Sequence, residues 1–242
     1  MRFEIELLLG EKLYQYTLAF DLPEKFKELR VLEEQLSVSE KPVYLLKEAQ
    51  VTVCKGFENH DSQFSVDWHL VALSVIQEKS EPDPLRIFRT WLANMIILAP
   101  IPGFITGTSS GETFQAKRDG SNFGEWFSGL LTLYPAAYTE IDKYLREVMP
   151  DIKDIQNKVI GKDAKSMVVQ FEANNATLKL DFKDLSDGEK SFFLCSVVLA
   201  ANTFYGPLFC FWDEPDNFLS LSEVGHFIIA LQRSLKIAVR FW

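Results

Sequence analysis

Apolar and polar residues alternate along the first quarter of the chain. In Phe3-Glu4-Ile5-Glu6-Leu7 every second side chain is apolar, the period of a half-buried β-strand. A turn at Gly10-Glu11-Lys12 leads into a second run, Leu13 to Leu22, and the pattern continues through Leu29 to Leu36, Val43 to Leu46 and Gln50 to Cys54. Polar breaks at Ser37 to Lys41 and at Asn59-His60-Asp61-Ser62 punctuate it. The pattern predicts a meander of short antiparallel strands, although Glu33-Glu34-Gln35 suits a helix equally well.

From Asp67 the period changes. Trp68, Val71, Ala72 and Val75 fall at the i, i+3, i+4, i+7 positions of one helix face. Asp83 and Pro84 read as the cap and first position of a second helix, which runs through Ile87, Trp91 and Met95 and stops before Pro100. A third helix is expected from Ser121-Asn122 through Trp126 and Leu130, and a fourth from Ala136 to Val148, ahead of Pro150. Trp68, Trp91 and Trp126 read as core residues rather than base-stacking platforms. The mixed charges between Lys143 and Lys165 read as solvated faces.

The last third alternates between strand and helix. Met167 to Phe171 and Ala176 to Leu180 predict a hairpin closed by Glu172 to Asn175. An apolar helix follows (Ser191 to Phe204), then a turn at Gly206-Pro207, an apolar strand (Leu208 to Trp212) and another helix (Leu221 to Leu235). The expectation is an α/β chain in three sections. Residues 1–66 are β-rich, 67–160 form a helical subdomain, and 161–242 form a lobe that carries the motifs described below.

Composition narrows the functional classes. The formal net charge of −9 gives no overall basic footprint for nucleic acid, although a DNA partner could still be reached through other subunits. Cys54, Cys195 and Cys210 lack metal-ligand spacing, and the last two sit in apolar runs, as buried thiols in a reducing compartment do. The first residues carry two acids where a signal peptide would be apolar. The apolar stretch Met95 to Ile105 is too short to span a bilayer. The expected location is cytoplasmic, with no membrane partner.

Two segments carry candidate chemistry. In Leu208-Phe209-Cys210-Phe211-Trp212-Asp213-Glu214-Pro215, five apolar residues fit a strand buried on both faces of a parallel sheet. Two acids at the end of such a strand lie at the carboxyl edge, where open α/β folds bind ligands. The run looks like a Walker B motif, in which an aspartate at the place of Asp213 can help hold Mg²⁺ and a glutamate at that of Glu214 can polarise a water; alternatively, the two acids simply end a strand in solvent. The second segment, Leu185-Ser186-Asp187-Gly188-Glu189-Lys190, immediately precedes the apolar helix. Unpaired N–H groups at a helix start attract phosphate oxygens, Ser186 adds a hydroxyl, and Gly188 permits close approach. A plain N-cap by Ser186 or Asp187 explains the same residues.

Taken together, Leu-Ser-Asp-Gly-Glu, one buried helix and an apolar strand ending Asp-Glu-Pro resemble the signature and Walker B motifs of an ABC-type ATPase head. The form is that of the SMC/RecF/overcoming-lysogenization-like (AAA-type ATP-binding protein) class. Arg118-Asp119-Gly120-Ser121-Asn122, Tyr144-Leu145-Arg146-Glu147-Val148-Met149-Pro150 and Asp213-Glu214-Pro215-Asp216-Asn217 add to the likeness. The resemblance implies ATP and Mg²⁺ as ligands, with Ser186 and Gly188 contacting the γ-phosphate across a dimer of heads. It also implies that Asp213 organises the metal, that Glu214 positions the attacking water, and that the task is linked to DNA repair or phage defence.

The chain departs from that family in three places. It has no G-x-x-x-x-G-K-[ST] loop. The nearest mimic, Gly107-Thr108-Ser109-Ser110-Gly111-Glu112-Thr113, has glycines one residue too close and an acid at the lysine position, and it reads as a surface loop. The family's switch histidine has no counterpart, since His60, His69 and His226 lie elsewhere, and Ser220 stands where an aspartate often follows Walker B. The expectation is therefore a partial head, whether fragment, split-gene product or degenerate copy, that is inactive in isolation. Its partner would be a second head or a missing N-terminal lobe. Two other readings stand beside it: a non-catalytic interaction module that completes a partner's ATP site, and a metal-dependent nuclease using Asp213, Glu214 and Asp216.

Overall fold

A computed structural model describes residues 1–24, 27–54, 62–77, 83–174 and 176–234. The chain is a mixed α/β protein that divides into two compact units, Met1–Ala93 and Asn94–Trp242.

The first unit is the predicted meander. Strands β1 (Arg2–Leu9), β2 (Lys12–Asp21), β3 (Arg30–Val38), β4 (Lys41–Lys47), β5 (Gln50–Val53) and β6 (Ser62–Ser65) pair in sequence order, all antiparallel. The ambiguous Glu33-Glu34-Gln35 is strand, and β6 was not foreseen. Of the expected break at Asn59 to Ser62, the first three residues lie outside the described residues. Helix α1 (Pro84–Ala93) starts as its sequence dictates: Pro84 occupies the first position and the Asp83 carboxylate accepts from the Leu85 N–H at 2.9 Å. It buries Leu85, Phe88 and Trp91, with Phe88 5.1 Å from the Tyr16 ring. It ends at Ala93, short of the expected Met95.

One row across this sheet runs Phe3, Leu18, Glu34, Leu46, Val51, Phe64. A carboxylate in the middle of an apolar row would be prohibitive without partners. Glu34 is fully buried and has four: the Tyr16 hydroxyl at 3.0 Å, the Tyr44 hydroxyl at 2.6 Å, and the N–H groups of Ala72 and Leu73. Arg89 holds the other end of the same segment, donating to the carbonyls of Leu73 and Ile76. This clasp explains a failed expectation. No helix starts at Asp67; the segment forms only a short 3₁₀ turn, Ala72–Ser74. Asp67 folds back onto the His69 N–H at 2.9 Å, and Glu34 captures the amides that a longer helix would have used. Trp68 is consequently 49% exposed rather than core, with the Arg30 guanidinium 5.9 Å above its ring.

The second unit is built around a long helix. Helices α2 (Phe123–Leu133) and α3 (Ala137–Val148) follow strands β7 (Ile96–Leu98) and β8 (Thr108–Ser109). Strands β9 (Ile152–Ile160), β10 (Ala164–Ala173) and β11 (Ala176–Asp181) come next, then α4 (Asp187–Tyr205), β12 (Cys210–Trp212) and α5 (Leu221–Ser234). β10 pairs with β9 along one edge, and with β8 and β11 along the other. Helix α4 is buried on every side from Lys190 to Asn202, which is why its sequence shows no polar face. Trp126 and Phe193, both fully buried, belong to the same core as Met167, Val169 and Phe171 of β10.

Three expectations change here. The Gly107 to Thr113 stretch is not simply a surface loop: Thr108 and Ser109 pair with β10, and Ser109 is buried. Strand β9 occupies residues read only as solvated charge, and Arg146 donates to the carbonyls of Ile152 and Lys153, tying α3 to that strand. Finally, β12 is parallel to its neighbour, as predicted, but is only three residues long and is not buried on both faces. Its partner β7, hidden in the Met95 to Ile105 apolar stretch, was not foreseen. Ile96 and Leu98 are buried on one face, whereas Ile97 is 42% and Phe211 58% exposed on the other.

Candidate functional site at the edge of the parallel pair

Pairing of Cys210 with Ile96 and of Trp212 with Leu98 sets both carboxyl ends at one edge. The ladder continues one residue further, where the Asp213 N–H donates to the Leu98 carbonyl at 2.7 Å. Beyond β7 the chain is flanked by the Arg118-Asp119-Gly120-Ser121-Asn122 turn. The N–H groups of Ala99 and Ile101 donate to the carbonyls of Arg118 and Asp119 at 2.8 and 3.0 Å.

That turn is set by its own residues. Gly120 has φ +76°, a conformation that side chains resist, and the Asp119 carboxylate accepts from the Ser121 N–H at 3.0 Å. The Ser121 hydrogen bonds hold the Asp119 carboxyl below its ordinary pKa. Asn122 braces the same turn by accepting from Lys117 N–H and donating to the Gln115 carbonyl. Arg118 is thereby delivered to the edge, its Nη2 3.8 Å from Asp213 Oδ2 with both side chains largely in solvent. Nothing in the local sequence assigns Arg118 a role; the fold brings it to Asp213.

The segment after β12 is strained. Glu214 (φ +51°) and Phe218 (φ +69°) both adopt left-handed backbone, which costs a non-glycine residue roughly 1–2 kcal/mol. Asn217 compensates in part. Its N–H donates to the Glu214 carbonyl at 3.1 Å and its amide to Glu214 Oε2 at 2.6 Å, so the carboxylate is held by a neighbour three residues on. Ser220, where the resemblance implies an aspartate, instead caps α5. It accepts from the Glu223 N–H at 3.4 Å, while the Glu223 carboxylate accepts from the Ser220 N–H at 2.6 Å. The Ser-x-x-Glu spacing was legible as a capping box.

The Leu185 to Lys190 segment has the same device. Ser186 caps α4 by accepting from the Glu189 N–H at 3.3 Å, and Glu189 Oε2 accepts from both the N–H and the hydroxyl of Ser186 at 2.7 Å. Lys190, buried, donates to the Pro102 carbonyl at 3.4 Å and so ties the first turn of α4 to the segment leaving β7. Gly188 lies under the Phe218 carbonyl, which would stand 3.1 Å from a β-carbon placed there. The two motifs therefore meet, through Gly188 and Phe218. The structure links Asp213 to Arg118 and Glu214 to Asn217, while the Ser186 hydroxyl is occupied by Glu189.

Two groups at this edge suit the ligands that the resemblance implies, Mg²⁺ and a phosphate. Asp213 presents exposed carboxylate oxygen, the ligand Mg²⁺ prefers, next to a cationic guanidinium suited to phosphate. Among the described residues no phosphate-binding loop accompanies them. Among the described residues no three His, Cys, Asp or Glu side chains converge as a metal-holding group, so Asp213, Glu214 and Asp216 do not form one. Burial raises the Cys195 pKa and pushes that of Cys210 up to about 12; Cys195 is buried in the core and Cys210 packs partly buried against it. His226 is exposed on α5, while His60 lies outside the described residues. Among the described residues no helix is long and apolar enough to cross a membrane. No protein-family model, curated protein or solved structure matches this chain.

Proposed function

We propose that the chain is the signature-motif and Walker B part of an ABC-type ATPase head of the SMC/RecF-like class, and that it acts on ATP only together with a phosphate-loop lobe. The observation that carries this reading is the position of Asp213, at the carboxyl end of a parallel strand and beside Arg118, with the start of α4 packed against the loop that follows. In this reading Mg²⁺ would neutralise developing phosphate charge, with Asp213 as its protein ligand. Arg118 would steady a phosphate oxygen, Ser186 and Gly188 would present the helix start to the γ-phosphate of a facing head, and Glu214 would orient water. Positioning and electrostatics supply most of the catalysis in phosphoryl transfer, so without a phosphate loop turnover is not expected. The task would be DNA repair or phage defence, in the cytoplasm, with DNA reached indirectly.

The test is reconstitution. A phosphate-loop lobe from a head of this class, supplied as a separate chain or fused ahead of Met1, should confer Mg²⁺-dependent phosphate release. Asp213→Asn and Glu214→Gln should each abolish it. Steady phosphate release by the chain alone, lost in Glu214→Gln, would overturn the reading.

One observation favours a second reading, a non-catalytic module that completes a partner's site. The Glu214 Oε2 already accepts from the Asn217 amide at 2.6 Å, so one of its two oxygens is committed within its own loop. Reconstituted turnover that survives Glu214→Gln but not Ser186→Arg would select the module.

A further inference from the structure

No further inference is drawn: the strongest candidate, the exposed apolar face of the two-stranded β7–β12 sheet around Ile97 and Phe211, carries nothing because nothing in the structure shows what covers it.

Discussion

Two regions of this molecule place carboxylates in very different surroundings. In the first unit Glu34 is fully buried and each of its oxygens is spoken for by tyrosine hydroxyls and backbone amides. In the second, Asp213 is exposed, its ion pair is long at 3.8 Å, and the backbone beside it is left-handed at Glu214. A saturated buried acid is an architectural element, since removing it orphans four donors at once. An exposed, loosely paired acid at the end of a parallel strand adds little to stability and is available for a ligand.

The contrast predicts a graded series of stability effects, readable by denaturant unfolding and by amide exchange in β3 and residues 72–76. Glu34→Leu should be the most damaging, destabilising the first unit by about 3–5 kcal/mol, as breaking buried polar networks does. A loss below about 1 kcal/mol would mean that the clasp is not what holds Ala72–Ser74. Tyr44→Phe removes one donor to a charged acceptor and should cost about 1.5–3 kcal/mol. Ser186→Ala should cost about 1 kcal/mol through loss of the α4 cap, with its effect confined to the second unit. Asp213→Asn should fall within about 0.5 kcal/mol of the parent. A larger penalty there would make Asp213 structural and remove the basis of the contrast.

Much of this was legible beforehand, and the gaps have physical causes. The meander, α1, α2, α3 and the β10–β11 hairpin followed from period and capping residues, because each satisfies its backbone locally or with a sequence neighbour. Strand β7 was missed because three residues inside an apolar stretch carry no period; only its pairing with Cys210 to Trp212, more than a hundred residues away, defines it. The helix expected at Asp67 failed because Glu34, distant in sequence, outbid the local pattern. The same distance explains Arg118: its turn was readable from Asp119-Gly120-Ser121-Asn122, but its approach to Asp213 depends on the β7–β12 register. Phe211 shows the limit of composition. Its apolar run suggested burial on both faces, yet α4 is enclosed because α2, α3 and α5 pack around it, whereas Phe211 and its partner Ile97 stay exposed.

The most direct test of the central claim is a calorimetric titration of Mg-ATP into the purified, folded chain, repeated with Asp213→Asn. The account predicts no measurable saturation for either protein, because in the proposed reading the acids and the helix start would supply only one side of a phosphate site. Tight, Mg²⁺-dependent binding by the chain alone, weakened in Asp213→Asn, would contradict it and show that this fold builds a complete phosphate site of its own.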